Sequence, residues 1–153
     1  MKSQRLWIVV ADGETARFYE REGRLARLAP ALPFEMRMPN PPSREQGSDA
    51  PGRVFESVGR TRHAIELRVD RHREAKRSFA RDVGEVLREK ARENAFDKLV
   101  LVAPARTMGD LRAEIDDATK QRLVGEVVKD LTHLSPTELN VWFAEGPGAE
   151  LMF

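Results

Sequence analysis

DKLVLVAPARTMGDL, running from Asp97 to Leu111, joins an unbroken apolar run to the start of a helix. Five of the six residues from Leu99 to Pro104 are aliphatic or alanine, the pattern of a strand covered on both faces and therefore central in its sheet. Thr107 stands three residues before Asp110, which predicts a capping hydroxyl at the helix entrance and a carboxylate near the positive helix end. Strand, loop and helix are expected here in that order.

On the N-terminal side of this stretch, Asp70 can cap a helix running to about Asn94. Ala75, Phe79, Val83, Val86, Leu87 and Ala91 recur in it at steps of three and four and make one core stripe. The opposite face, with Arg73, Arg77, Arg81, Arg88, Glu85, Glu89 and Glu93, reads as solvated surface. On the C-terminal side come a helix from Met108 to about Ala118 and a strand from Leu123 to Val128. Ser135-Pro136-Thr137-Glu138 then forms a capping box with proline at the first helical position, opening a last helix that carries Leu139, Trp142 and Phe143. Near the N-terminus, LWIVVAD from Leu6 to Asp12 is a second central strand, ended by the Asp12-Gly13 turn. Thr15 to Glu20 alternates as a half-exposed antiparallel partner, and Pro30 restricts Leu25 to Leu32 to an edge. The fold class is α/β: a single three-layer domain over residues 1–146, whose mixed sheet opens as an antiparallel meander and continues in a parallel part, followed by a tail from 147 to 153.

A chain of 153 residues with 41% hydrophobic and 33% charged residues suits one soluble globular domain. No apolar run approaches a membrane span, and MKSQRLWIVV lacks the features of a signal peptide, so a cytoplasmic location without a membrane partner is expected. The absence of cysteine excludes disulfides, thiolate metal sites and a cysteine nucleophile, and His63, His72 and His133 are the only histidines. No metal and no cofactor are expected.

Charge is segregated along the chain. Residues 53–77 hold eight Arg or Lys against four acids, whereas residues 78–153 hold ten against fourteen. Such asymmetry points to a phosphate-bearing partner. Six of the nine prolines fall between Pro30 and Pro51, predicting an extended, mobile loop over about residues 38–62. Arg53, Arg60, Arg62 and His63 stand beside Gly52 and Gly59 and form the candidate anion- or RNA-binding group. A second candidate site lies where the central strands end, at Asp12, Thr107 and Asp130, because ligands of open α/β sheets gather beyond the carboxyl ends of the strands.

Five blocks in order, WIVVADGETARFYE, APGRVFESVGRTRHAIE, FARDVGEVL, FDKLVLVAPARTMGDLR and VVKDLTHLSPTEL, resemble the bacterial host attachment family, the proteins required for attachment to host cells. They span nearly the whole chain. The resemblance implies a fold similar to the middle domain of archaeal and eukaryotic peptide-chain release factors. In those proteins a loop before the long helix carries a Gly-Gly-Gln motif that promotes release of the nascent peptide from tRNA. Here the corresponding region has Gln46-Gly47 and Pro51-Gly52-Arg53 and no Gly-Gly-Gln, so only a basic, glycine-containing loop carries over.

No catalytic residue can be assigned. Asp12-Gly13-Glu14-Thr15 reads as a hairpin turn, and its pairing with Asp130 lacks the further carboxylates that two-metal chemistry needs. There is no G-x-S-x-G, and His63 beside Arg62 is the best isolated acid-base candidate. The residues favour a non-enzymatic intracellular module that binds structured RNA, tRNA or the ribosome, through its basic loop. The alternative is a hydrolase of peptidyl-tRNA or another ester, with the same loop closing over its substrate.

Overall fold

The computed structural model describes residues 4–23, 26–39 and 58–149, and of residues 58–64 and 66 the backbone alone. Strand β1 (Arg5–Ala11) runs through the middle of the sheet, with every residue from Leu6 to Ala11 buried. It turns back into β2 (Thr15–Glu22), setting Ala11 opposite Ala16 and Arg5 opposite Glu22. Two short strands, β3 (Ala29–Pro30) and β4 (Met36–Arg37), pair with the far side of β2. Pro30 sits on that edge, where its missing N–H costs no ladder bond. On the other side of β1, β5 (Lys98–Ala103) runs parallel with Ile8 beside Val100, and β6 (Leu123–Val128) runs parallel to β5. The described strands form one six-stranded mixed sheet in the order β3-β2-β1-β5-β6, with β4 also on β2.

Among the described residues four helices cover this sheet: α1 (Val58–Arg92), α2 (Ala105–Glu114), α3 (Asp117–Arg122) and α4 (Pro136–Ala144). The two-residue period of the strands divides their side chains between two cores. Trp7, Val9, Leu99 and Leu101 pack under Phe79, Val83 and Leu87 of α1 and Met108 and Leu111 of α2. Ile8, Val10, Val100 and Val102 pack on Leu139 and Phe143 of α4. Burial on both faces is why β1 and β5 read as unbroken apolar runs; each such side chain contributes about 1.5–3 kcal/mol. Gly84, buried in α1, lets α2 approach closely, since a Cβ there would lie 2.7 Å from the Cβ of Glu114.

Four expectations need correction. The long helix is already formed at Val58, so Asp70 lies inside it rather than capping it. Its stripe continues backward from Phe79 through His72, Val69 and Ile65 with no proline to stop it. Of the loop expected over about residues 38–62, residues 40–57 lie outside the described residues, and Val58 to Arg62 are helical. The helix expected from Met108 starts earlier, at Ala105, behind an extended Pro104 that provides no side-chain cap. Thr107 therefore sits in the first turn, and Asp110 is turned toward α1. That helix stops at Glu114, and Asp116 caps α3 separately by accepting from the N–H and hydroxyl of Thr119. Finally, β2 is less exposed than its alternation suggests. Tyr19 is buried on the α4 side, and Arg17 donates to the carbonyls of Thr132 and Leu134. The capping box at Ser135 is present as expected.

Candidate functional site

Because β1, β5 and β6 are parallel, their carboxyl ends lie along one edge of the sheet. With the first turn of α2 and one turn of α1 they frame a cleft of about 400 Å³. Asp12, Thr107 and Asp130, the expected strand-end group, all line it. Asp12 Oδ1 accepts from the N–H groups of Glu14 (2.8 Å) and Thr15 (2.7 Å) and from the Thr15 hydroxyl (3.1 Å). One carboxylate oxygen is thus committed to the hairpin. The Thr132 hydroxyl lies 3.3 Å from Asp12 Oδ2 and 2.5 Å from Asp130 Oδ1, linking the ends of β1 and β6. The Thr132 N–H also donates to Asp130 Oδ1 at 3.0 Å. Arg17, reaching across from β2, fixes the segment that carries Thr132.

Three cations complete the cleft: Arg73 and Lys76 from α1 and Arg106 from α2. Arg73 is held by Asp110 through two parallel hydrogen bonds, which raise its already high pKa. Lys76 lays its stem over Gly13, where a Cβ would come within 2.8 Å of Lys76 Cδ. Lys76 and Arg106 have neither an ion-pair nor a hydrogen-bond partner among the described residues. Lys76, Arg73 and Thr132 were missed from sequence. For Lys76 a signal exists: it interrupts the apolar stripe of α1 one turn before Phe79. Arg73 had been assigned to the solvated face, but it faces α2. No group of three or more His, Asp or Glu among the described residues is arranged to hold a metal ion.

The other candidate group is divided. Arg60, Arg62 and His63 fall in the first turns of α1, while Arg53 lies outside the described residues. No side chain described between Ile65 and Ser78 is buried, and Ile65, Leu67 and Val69 are 52%, 43% and 60% exposed. Phe79 is the first buried residue of the helix among its described side chains. The preceding part, about 30 Å long at 1.5 Å per residue, carries seven Arg or Lys from Arg60 to Arg77 against Glu66, Asp70 and Glu74. The two candidate sites do not merge: Arg62 and Lys76 are about 20 Å apart along the helix axis.

These features define a mixed-sheet α/β protein with a polar cleft at its strand ends and a long basic helix beside it. The chain belongs to the family described as "Protein required for attachment to host cells", which it matches over residues 7–141. Among solved structures it is similar to an archaeal translation termination factor, aRF1. That likeness has 14% identity and a TM-score of 0.46, and covers 97% of this chain and 36% of that one. This chain therefore spans about a third of the length of that factor. Compared with curated proteins, the chain matches none. No helix among the described residues is long and apolar enough to cross a membrane.

Proposed function

We propose that this host-attachment-family protein is a non-enzymatic module that binds structured RNA, tRNA or the ribosome, through the basic N-terminal half of α1. The observation that carries this reading is the coincidence of charge and exposure. Arg68, Arg71 and Arg77 are exposed on the part of the helix that precedes Phe79, the first buried of its described side chains, and Arg60 and Arg62 precede them in its first turns. A rigid helix presents arginine forks at fixed spacing along a phosphate backbone, and each fork matches two phosphate oxygens. Arg60, Arg62 and His63 stand in the first turns of this helix, Arg68 and Arg71 follow, and Arg53 precedes them in the sequence as the fourth member of the proposed group.

The experiment is to recover the tagged protein from a bacterial lysate after crosslinking and to sequence the RNA bound. An Arg53→Ala, Arg60→Ala, Arg62→Ala variant is carried in parallel. Enrichment of tRNA or ribosomal RNA on the parent, lost on the variant, is expected. RNA recovery equal on both would remove the reading.

A further inference from the structure

We propose that the cleft at the carboxyl ends of β1, β5 and β6 is a second binding site, which takes a phosphorylated ribose, with the phosphate on Lys76 and Arg106 and a ribose hydroxyl on Asp130. The site stands on the cavity and its charges and does not depend on the role of the basic helix. A volume of about 400 Å³ is in the range of small-ligand sites.

The charged groups of the cleft sort by whether they are already engaged. Arg73 is saturated by Asp110. Asp12 Oδ1 is engaged by three donors of its own hairpin, and its Oδ2 has only a share, at 3.3 Å, of the single Thr132 hydroxyl proton, which Asp130 Oδ1 holds at 2.5 Å. Asp130 uses only Oδ1, toward Thr132. What remains without a partner among the described residues is two cations, Lys76 and Arg106, and one carboxylate oxygen, Asp130 Oδ2. Glu14, also on the lining, is already engaged.

A pair of cations beside a single acceptor selects a ligand that carries both an anion and a hydroxyl donor. Phosphate accepts from an ammonium and from a planar guanidinium, and a carboxylate oxygen accepts from a sugar hydroxyl. A bare phosphate would use only the cations, and a nucleoside only Asp130. A nucleotide uses both. Gly13 contributes by position, because its missing side chain leaves the path along which the Lys76 stem lies. The same chemistry is offered by a free mononucleotide and by a nucleotide within an RNA strand.

The test is calorimetric titration of the full chain with adenosine 5′-monophosphate, adenosine, inorganic phosphate and a 5′-phosphorylated RNA tetramer. Adenosine 5′-monophosphate is expected to bind at least about tenfold more tightly than adenosine or phosphate; binding of the tetramer alone would assign the ligand to an RNA strand. A Lys76→Gln, Arg106→Gln variant should lose about tenfold or more of either affinity. Asp130→Asn should weaken the nucleotide and leave phosphate unchanged. Arg60→Ala, Arg62→Ala should leave nucleotide binding unaltered, so failure of the helix reading and failure of this one are separable. Circular dichroism melting confirms that each variant is folded, and the single Asp130→Asn change serves if the double variant is not. No binding of either phosphorylated probe at millimolar concentration, or binding indifferent both to Lys76 and Arg106 and to Asp130, overturns the proposal.

Discussion

Arg73 on α1 and Asp110 on α2 face each other through two parallel N–H···O bonds of 2.7 and 2.5 Å, with both side chains largely shielded. This is a polar contact between two helices that also meet through Phe79, Val83, Met108 and Leu111 and through Arg88, which donates to the Glu114 carbonyl. Removing one partner leaves the other shielded and unpaired, which costs more than the pair itself contributes. Asp110→Ala should destabilise by about 1–3 kcal/mol, and Arg73→Ala, Asp110→Ala together by less than the sum of the two single changes. Urea denaturation of the double-mutant cycle measures this; strictly additive losses would show that the two residues are not coupled.

The approach of the same helices makes a second prediction counter to intrinsic propensity. Alanine is favoured over glycine in a helix interior by about 1 kcal/mol. At Gly84, however, a Cβ would stand 2.7 Å from Glu114 Cβ and 3.3 Å from the Glu114 carbonyl oxygen. Gly84→Ala should therefore lower stability by about 1–3 kcal/mol. A raised melting temperature would mean that α2 moves aside at no cost.

The central strand supplies a third. Leu101 has no exposure and packs in the core beneath α1, so Leu101→Ala should cost about 2–5 kcal/mol. Val100, on the α4 side, should cost about 1–4 kcal/mol as alanine. Chemical denaturation checks both, and near-zero losses would be incompatible with burial on two faces.

Helix caps give the pH dependence. Ser135 accepts from the N–H of Glu138, and Glu138 Oε1 accepts from the N–H of Ser135, which holds the Glu138 carboxyl below its ordinary value. Asp116 is held low in the same way by the hydroxyl and N–H of Thr119. A carboxylate depressed on folding binds its proton first in the unfolded chain. Its contribution is therefore complete above the unfolded values, 4.5 for Glu138 and 3.8 for Asp116, and is lost as pH falls through the folded ones. Stability should decline below about pH 4.5, and less steeply in Asp116→Asn. Ser135→Ala should cost about 0.5–2 kcal/mol at neutral pH. Melting curves across pH test these statements together.

Much of the scaffold was legible because it rests on local patterns that tertiary contacts reinforce. The runs Leu6 to Ala11 and Leu99 to Ala103 became the two central strands, and the Ser135 box became a cap with both of its hydrogen bonds. The helix entrances near Thr107 and Asp70 were misplaced for one reason. A residue type that can cap does not by itself fix a helix start, and a proline one turn upstream or an uninterrupted stripe moves the boundary. Asp12, Thr107 and Asp130 were gathered by the topological rule alone. Thr132 and Lys76 escaped it, since their roles come from the loop that Arg17 ties down and from a helix crossing the strand ends.

The central claim, that Arg53 and the basic half of α1 contact phosphates, is tested most directly by the salt dependence of RNA affinity. Total tRNA and ribosomes are titrated with the parent and with the Arg53→Ala, Arg60→Ala, Arg62→Ala variant over a series of salt concentrations. Each phosphate contact contributes about 0.7–0.9 to the slope of log affinity against log salt, so loss of three should flatten it by about 2–3. Parent and variant with the same affinity and the same slope would contradict the claim.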